Sequence, residues 1–390
     1  MLFITGTRAD FGKLKPLIKA VDDSGRFECH IFATGMHTLR RYGSTHDEIR
    51  KTGFRNIFLF MNQFADGGSA MDITLANTIT GLAHYVREFE PDLIIVHGDR
   101  IEALAGAIVG TTNNVLVAHL EGGEVSGTLD EVLRHAITKL AHLHFVANDE
   151  ARRRIIQLGE CDSSVFVVGS ADIDVMLSDE LPTLAEARRH YEIDFDRYCL
   201  FLYHPVTTEI ERLRRNARVV CDALIASGRN FVVIYPNNDP GADAILEETR
   251  PLADCVRFRL FPSVRFEHFL TLLKHADAIV GNSSAGIREA PVYGVPTINV
   301  GTRQRNRFHF PSIVNVPEDS AAILNALQRL PVGVGRSLHF GDGRCASRFL
   351  AIMNSPQPWR TPRQKQFRDL PDEIARPSRS ERVQVTSACP

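Results

Sequence analysis

The sequence predicts an α/β chain built from two doubly wound domains. Short apolar, β-branched runs alternate with longer helix-period segments from the first residue, the signature of βαβ units around a parallel sheet. The chain has 390 residues, more than one hydrophobic core usually organises. The alternation fades after residue 168 and restarts at 198, so two cores of similar size are expected.

In chain order, strands are expected at 2–5, 29–33, 56–60, 93–97, 115–119, 143–147 and 165–168, with helical patterns between them. The segment 169–196 lacks a strong apolar strand signal and carries Pro182 and several charges, as an interdomain connection would. The division therefore falls there, with domains at 1–170 and 171–375. The second domain restarts with strands at 198–203, 231–235, 256–260, 278–281 and 297–300. From about residue 376 to 390 the composition turns to Arg, Ser and Pro, and this tail is expected to be disordered and without a catalytic role.

Hydrophobic residues make up 44% and charged residues 24%, the ordinary balance of a soluble globular protein. The net charge of -2 provides no global field for a polyanion, so nucleic acid is not an expected partner and an anionic ligand must be held by local cations. No signal peptide or membrane-spanning apolar run is present in the sequence, and a cytoplasmic location is expected. The seven cysteines show no C-x-x-C spacing, which fits reduced thiols and no structural metal.

Chemistry concentrates where strands end. The first strand runs into ITGTRADFGKLKPLI, which delivers Arg8 and Lys13 to its carboxyl end, where open α/β sheets bind ligands. The amides of the following helix would favour phosphate; the alternative is an ordinary βα turn with solvated basic residues. In LIIVHGDRIEALAG an apolar strand ends in His97, Gly98, Asp99 and Arg100, with Glu102 in the next helical turn. Asp99 is either part of a site or a helix N-cap. The next strand ends in HLEGGEVSGTLDEVLRH, which gathers Glu121, Glu124, Asp130, Glu131, Arg134 and His135. Neighbouring carboxylates raise one another's pKa values, and a raised carboxylate suits proton transfer. The alternative is a solvated acidic loop with an Asp130–Arg134 helix pair.

In the second half, LFLYHPVTTE places His204 after an apolar strand. DAIVGNSSAGIREAP leads a strand into Asn282, Ser283, Ser284 and Gly286 and then a helix, a recurrent diphosphate cradle. Glu289, one turn on, is suited to accept hydrogen bonds from a ribose; serines that only cap the helix are the alternative. GTRQ adds Arg303 as a phosphate-directed cation. Phe266 either borders the base and ribose or belongs to the core.

Taken in order, ITGTRADFGKLKPL, HGDR, EGGEVSGT with its acidic pair and RH, HPVTT, GNSSAGIREAP and GTRQ resemble the hydrolysing UDP-N-acetylglucosamine 2-epimerases. These include bacterial sialic-acid pathway enzymes and the epimerase half of the animal bifunctional enzyme. The resemblance runs to about residue 310. It implies a GT-B-like arrangement, two Rossmann-like domains facing across a cleft, with a C-terminal helix near 342–356 crossing back to the first domain. It also implies UDP-N-acetylglucosamine as substrate, UDP and N-acetylmannosamine as products through 2-acetamidoglucal, no cofactor, and a homodimer or tetramer.

Carried over residue by residue, Asp99, Glu121 and Asp130 match catalytic carboxylates, with Glu131 a close competitor, and which one takes the carbon-2 proton stays open. Near relatives carry two aspartates where this chain has Asp130 and Glu131. His204 matches the second-domain histidine facing the leaving group, and His97 and Arg100 belong to the first-domain motif. Arg8, Ser283, Ser284, Glu289 and Arg303 match the UDP-contacting set, to which Lys13, Phe266, Asn282 and Gly286 are added by position. Competing readings are a UDP-sugar with a second acetamido group at carbon 4, such as UDP-N,N'-diacetylbacillosamine, a non-hydrolysing 2-epimerase, a GT-B glycosyltransferase, and a UDP-sugar sensor without turnover.

Overall fold

Strands buried on both faces, such as Leu-Phe-Ile-Thr at the amino terminus, build parallel sheets because helices must cover each side. The computed structural model describes residues 1–63, 70–237 and 239–369; the tail expected at 376–390 lies outside the described residues. The first sheet contains β1 (Leu2–Thr5), β2 (His30–Ala33), β3 (Asn56–Leu59), β4 (Leu93–His97), β5 (Leu116–Leu120), β6 (Leu143–Val146) and β7 (Val165–Val167). Its order is β3-β2-β1-β4-β5-β6-β7. Helices α1 (Arg8–Asp23), α2 (His46–Lys51), α3 (Met71–Phe89), α4 (Ile101–Thr112), α5 (Leu129–Leu140) and α6 (Asp149–Gln157) connect its strands.

Two short helices, α7 (Ala171–Met176) and α8 (Leu184–His190), follow. The second sheet then contains β8 (Cys199–Leu202), β9 (Phe231–Ile234), β10 (Phe258–Phe261), β11 (Ile279–Gly281), β12 (Thr297–Val300) and β13 (Ile313–Val316), in the order β10-β9-β8-β11-β12-β13. Its helices are α9 (Ile210–Ala226), α10 (Ala242–Thr249), α11 (Phe266–Lys274), α12 (Ala285–Arg288), α13 (Ala290–Tyr293) and α14 (Ser320–Gln328), and α15 (Cys345–Met353) comes after them.

Both sheets reverse strand order at one place, β1 beside β4 and β8 beside β11. A crevice opens outside the carboxyl ends of such a strand pair, and ligands of open α/β sheets bind there. This rule brings four motifs separated in sequence to two points.

The observed elements depart from expectation at three places. β10 begins two residues late, because Val256 and Arg257 lie before the strand and Val256 is 90% exposed. The edge strand β13 was not expected: Ile313, Val314 and Val316 are β-branched, but the run is short, half-exposed and enclosed by Pro311 and Pro317. The connection after residue 168 also holds core residues: Ile173, Met176, Ala187 and Ile193 are buried in the second domain's core. A Thr183–Glu186 capping box starts α8.

Helix α15 crosses back as the resemblance implies. Cys345, Phe349 and Met353 recur every four residues, share one helix face, and join the first domain's core, where Phe349 meets Phe145 at 4.7 Å. Its first amides, Cys345 N–H and Ala346 N–H, donate to the Asp174 carboxylate at 2.8 and 2.7 Å, which satisfies donors that a helix start leaves open. Beyond it, Lys365 Nζ donates to the carbonyls of Ala141 and Lys139 at 2.6 and 2.8 Å, closing the C-terminal end of α5.

Candidate functional site

At the carboxyl ends of β1, β4 and β5, facing those of β8 and β11, lies a cavity of about 190 Å³. Among the candidate residues, Lys13, His97, Asp99, Arg100, Glu121, Asp130, Ser284 and Arg303 line it. Asp10, Glu124, Arg134, Asn237, Asp239, Arg288 and Arg307 line it as well.

Asp99 does not cap α4: the N-cap position belongs to Arg100, with no side-chain cap bond. Its carboxylate instead receives Arg134, a guanidinium 1% exposed that also donates to the Glu124 carbonyl at 3.1 Å. Burial would raise the Asp99 pKa, but Arg134 and Arg307 outweigh it and hold it at about 2. The Asp130–Arg134 helix pair therefore does not form. Asp130 reaches across the cleft to Arg303 Nη2 at 3.1 Å, and burial together with the Asp99 charge pushes its pKa up. Glu131 turns away from the cavity. Its Oε2 accepts from the Ser126 amide at 2.7 Å and its Oε1 faces His135 at 3.4 Å.

Glu121 follows β5 with φ +62, a left-handed conformation that costs a non-glycine residue energy and is concentrated at functional sites. There it meets Arg288 Nη2 at 2.7 Å, His97 Nε2 at 3.3 Å and the Ser170 hydroxyl. Burial alone would raise its pKa; Arg288, Lys13 and His97 drive it well below the usual carboxylate range. The expectation that clustered carboxylates raise one another holds for Asp130 and fails for Asp99 and Glu121, because opposite charges within ion-pair distance dominate.

Across the cleft, Arg288 is 1% exposed and also grips Glu124, whose second oxygen takes Arg307 Nη2 at 2.9 Å. Lys13 spans the domains, 3.0 Å from Glu289 and 3.1 Å from Asp172. Those carboxylates outweigh burial and raise the Lys13 pKa. For Glu289, burial acts upward while Lys13 and Arg288 lower its pKa. For Asp172, burial leads, Lys13 opposes it, and Glu121 and Glu289 reinforce it, for a pKa of about 6.

His204 is fixed from both sides by Asn282: its amide donates to Asn282 Oδ1 at 2.6 Å, and its carbonyl accepts from Asn282 Nδ2 at 2.8 Å. The Asn282 side chain is thereby committed to the backbone. His204 Nδ1 accepts from the Asn237 amide at 3.2 Å, so Nε2 carries the hydrogen of the neutral ring. Burial first, then Arg303 and Arg100, lower its pKa well below the usual value.

The expected helical phosphate cradle is short. α12 ends after four residues and α13 restarts after Glu289, with Pro291 in its first turn. Proline has no N–H to donate and clashes with the preceding turn, so the macrodipole of one long helix is missing here. Ser284 occupies the N-cap position without a side-chain cap bond, and the Ser283 hydroxyl accepts from the Ala285 amide at 3.3 Å. Gly286 serves packing: a β-carbon there would lie 2.6 Å from Thr297 Cγ2. Positive charge at the site comes instead from Arg100, Arg288, Arg303 and Arg307.

Arg8 and Phe266 lie on the opposite side of α1, where they line a separate cavity of about 1030 Å³. Arg8 donates to Ser263 at 2.6 Å and Glu48 at 2.9 Å. The Phe266 ring rests on Gly12, where a β-carbon would come within 2.5 Å of it.

Of the residues around the 190 Å³ cavity, Asp10, Asp239, Arg288 and Arg307 were not read as site residues from the sequence. Arg288 sits in the quoted GIREAP motif, and an arginine within an otherwise apolar helix turn was the available signal. Among the described residues, no group of three or more His, Cys, Asp or Glu is arranged to hold a metal ion, and no helix is long and apolar enough to cross a membrane.

The family described as UDP-N-acetylglucosamine 2-epimerase matches residues 19–354. A UDP-N-acetylglucosamine 2-epimerase of Neisseria meningitidis serogroup B is 45% identical, over 95% of this chain and 99% of that one. A UDP-N,N'-diacetylbacillosamine 2-epimerase (hydrolyzing) of Legionella pneumophila is 32% identical, over 91% of this chain and 95% of that one. The structure of a Methanocaldococcus jannaschii UDP-GlcNAc 2-epimerase in complex with UDP-GlcNAc and UDP superposes with a TM-score of 0.74 at 19% identity, covering 90% of this chain and 98% of that one.

Proposed function

Since this chain belongs to the UDP-N-acetylglucosamine 2-epimerase family, we propose that it runs the hydrolysing reaction on UDP-N-acetylglucosamine. In the first step a carboxylate takes the proton from carbon 2 while the bond from carbon 1 to the diphosphate breaks, leaving 2-acetamidoglucal and UDP. Water then adds its hydroxyl to carbon 1 and a proton to carbon 2 with inverted configuration, which gives N-acetylmannosamine. The product feeds sialic or related nonulosonic acid synthesis. The protein works as a homodimer or tetramer and needs no cofactor.

The observation that carries this reading is the single cavity shared by Asp99, Glu121 and Asp130 from one domain and Ser284 and Arg303 from the other. Asp130 is the proton-transfer residue of this reading, because a carboxylate shifted toward neutrality exchanges protons most readily at working pH. Asp99 and Glu121 act as fixed anions that orient Arg134, Arg288 and His97. Neutral His204, with hydrogen on Nε2, donates to the departing diphosphate, and Arg100 and Arg303 stabilise its charge. Ser283 and Ser284 meet the diphosphate and Glu289 the ribose. Lys13 holds Glu289 Oε1 at 3.0 Å, and the buried Oε2, unpartnered among the described residues, is left to accept a ribose hydroxyl.

The test is incubation with UDP-N-acetylglucosamine in D₂O, without NAD or metal, followed by NMR. Release of UDP and of free N-acetylmannosamine carrying deuterium at carbon 2 is expected. Retention of UDP on an epimerised sugar identifies a non-hydrolysing enzyme, transfer of the sugar to an acceptor a glycosyltransferase, and binding without turnover a sensor. The similarity to the Legionella enzyme favours one second reading, the same reaction on UDP-N,N'-diacetylbacillosamine. A parallel incubation with that sugar decides between the two by relative kcat/KM.

A further inference from the structure

Asp10 was not singled out by its motif, yet it lines the same cavity as His97 and Glu121. It lies in the first turn of α1, where its Oδ2 accepts from the Gly6 amide at 3.1 Å. Its Oδ1 stands 2.8 Å from His97 Nδ1, and His97 Nε2 faces Glu121 Oε2 at 3.3 Å. The imidazole is thus held between two carboxylates, from α1 and from the end of β5, with side chains 13% and 11% exposed.

We propose that Asp10 is a positioning residue for the proposed reaction, acting through His97 on Glu121. An imidazole whose Nδ1 faces a carboxylate keeps hydrogen on Nδ1, so any second proton sits on Nε2, toward Glu121. The Asp10–His97 couple then holds an imidazolium beside Glu121, a counter-charge that keeps this carboxylate ionised and oriented toward the cavity.

The charged surroundings are consistent with this assignment. Burial alone would lower the His97 pKa, but Glu121 and the hydrogen bond to Asp10 outweigh it and raise it to about 10. Arg288 on α12 and Lys13 on α1 act with His97 to hold Glu121 ionised. His119, on β5, is pushed down to about 3 by burial and stays neutral.

The inference rests on the use of Glu121 in the proposed reaction, and its test separates the two. Histidine-labelled wild-type protein is titrated by ¹⁵N NMR, with the His97 resonance identified by its loss in His97→Gln. His97 is expected to remain an imidazolium beyond pH 8 in wild type and to titrate at least about one unit lower in Asp10→Asn. Asparagine keeps an acceptor for Gly6 N–H, so the fold is expected to survive. Asp10→Asn should lower kcat about 10²-fold with KM within about threefold. Asp10→Glu should recover part of that loss, and adding Asp10→Asn to His97→Gln should cost less than about twofold more.

A neutral His97 at pH 7 in wild type, multiplicative effects of the two substitutions, or an Asp10→Asn change confined to KM and thermal stability would each overturn the proposal. A wild type that turns over no UDP-sugar would instead count against the proposed function, while the NMR titration would still judge the couple.

Discussion

On one side of the cleft, Lys13, His97, Glu121, Glu124, Asp172, Arg288 and Glu289 pair with one another across the two domains. On the other, Asp130 meets one arginine from the opposite domain and lies close to the Asp99 charge, with its pKa pushed up. The contrast shows that carboxylate density alone does not make a base. What matters is whether the cations around a carboxylate outweigh its burial and the neighbouring anions. In the proposed reaction the first side serves as an interdomain latch, and the second, with its carboxylate shifted upward, carries the proton exchange.

Asp130→Asn breaks the contrast on the reactive side. It is expected to lower kcat by about 10²–10⁴-fold with the thermal midpoint little changed, measured by UDP release and by melting. Arg288→Met breaks it on the latch side, removing the buried cation that Glu121 and Glu124 share. A loss of about 3–5 kcal/mol is expected in urea unfolding; a loss below about 1 kcal/mol would remove Arg288 from the latch.

A third test follows pH. Unfolded, the Asp172 side chain titrates near 3.8, and in the folded protein near about 6. Between those values the native state holds a proton that the unfolded chain has released, so stability falls as pH rises through this window. Melting temperatures of wild type and Asp172→Asn from pH 3.5 to 7 should show the variant without that part of the slope. The smallest effect is expected from Glu131→Gln, which retains an acceptor for the Ser126 amide: kcat within about threefold and stability within about 1 kcal/mol. A loss in Glu131→Gln as large as in Asp130→Asn would exchange the two assignments.

Much of the fold was legible because strand and helix periods are local. The runs at 2–5, 93–97 and 297–300 match β1, β4 and β12 to the residue. β13 was not, because its four residues lie between Pro311 and Pro317, and such prolines mark loops. The site was legible as motifs at strand ends. Its pairings were not: Arg134 was offered to Asp130, four residues away, and instead serves Asp99, 35 positions distant in the chain.

Residue order alone determined the α/β class and the set of groups at the ends of β1, β4, β5, β8 and β11, since each depends on neighbours within one or two helical turns; the crossing segment near 342–356 came from the family resemblance. Only the tertiary structure decided which cation meets which anion, that Asp130 and Glu131 part company, and that Arg8 and Phe266 line a second cavity behind α1. The physical reason is that ion-pair energy and desolvation fall steeply with distance. A shift of a few ångströms between domains changes which charges compensate one another, and the one-dimensional spacing of residues does not encode that distance.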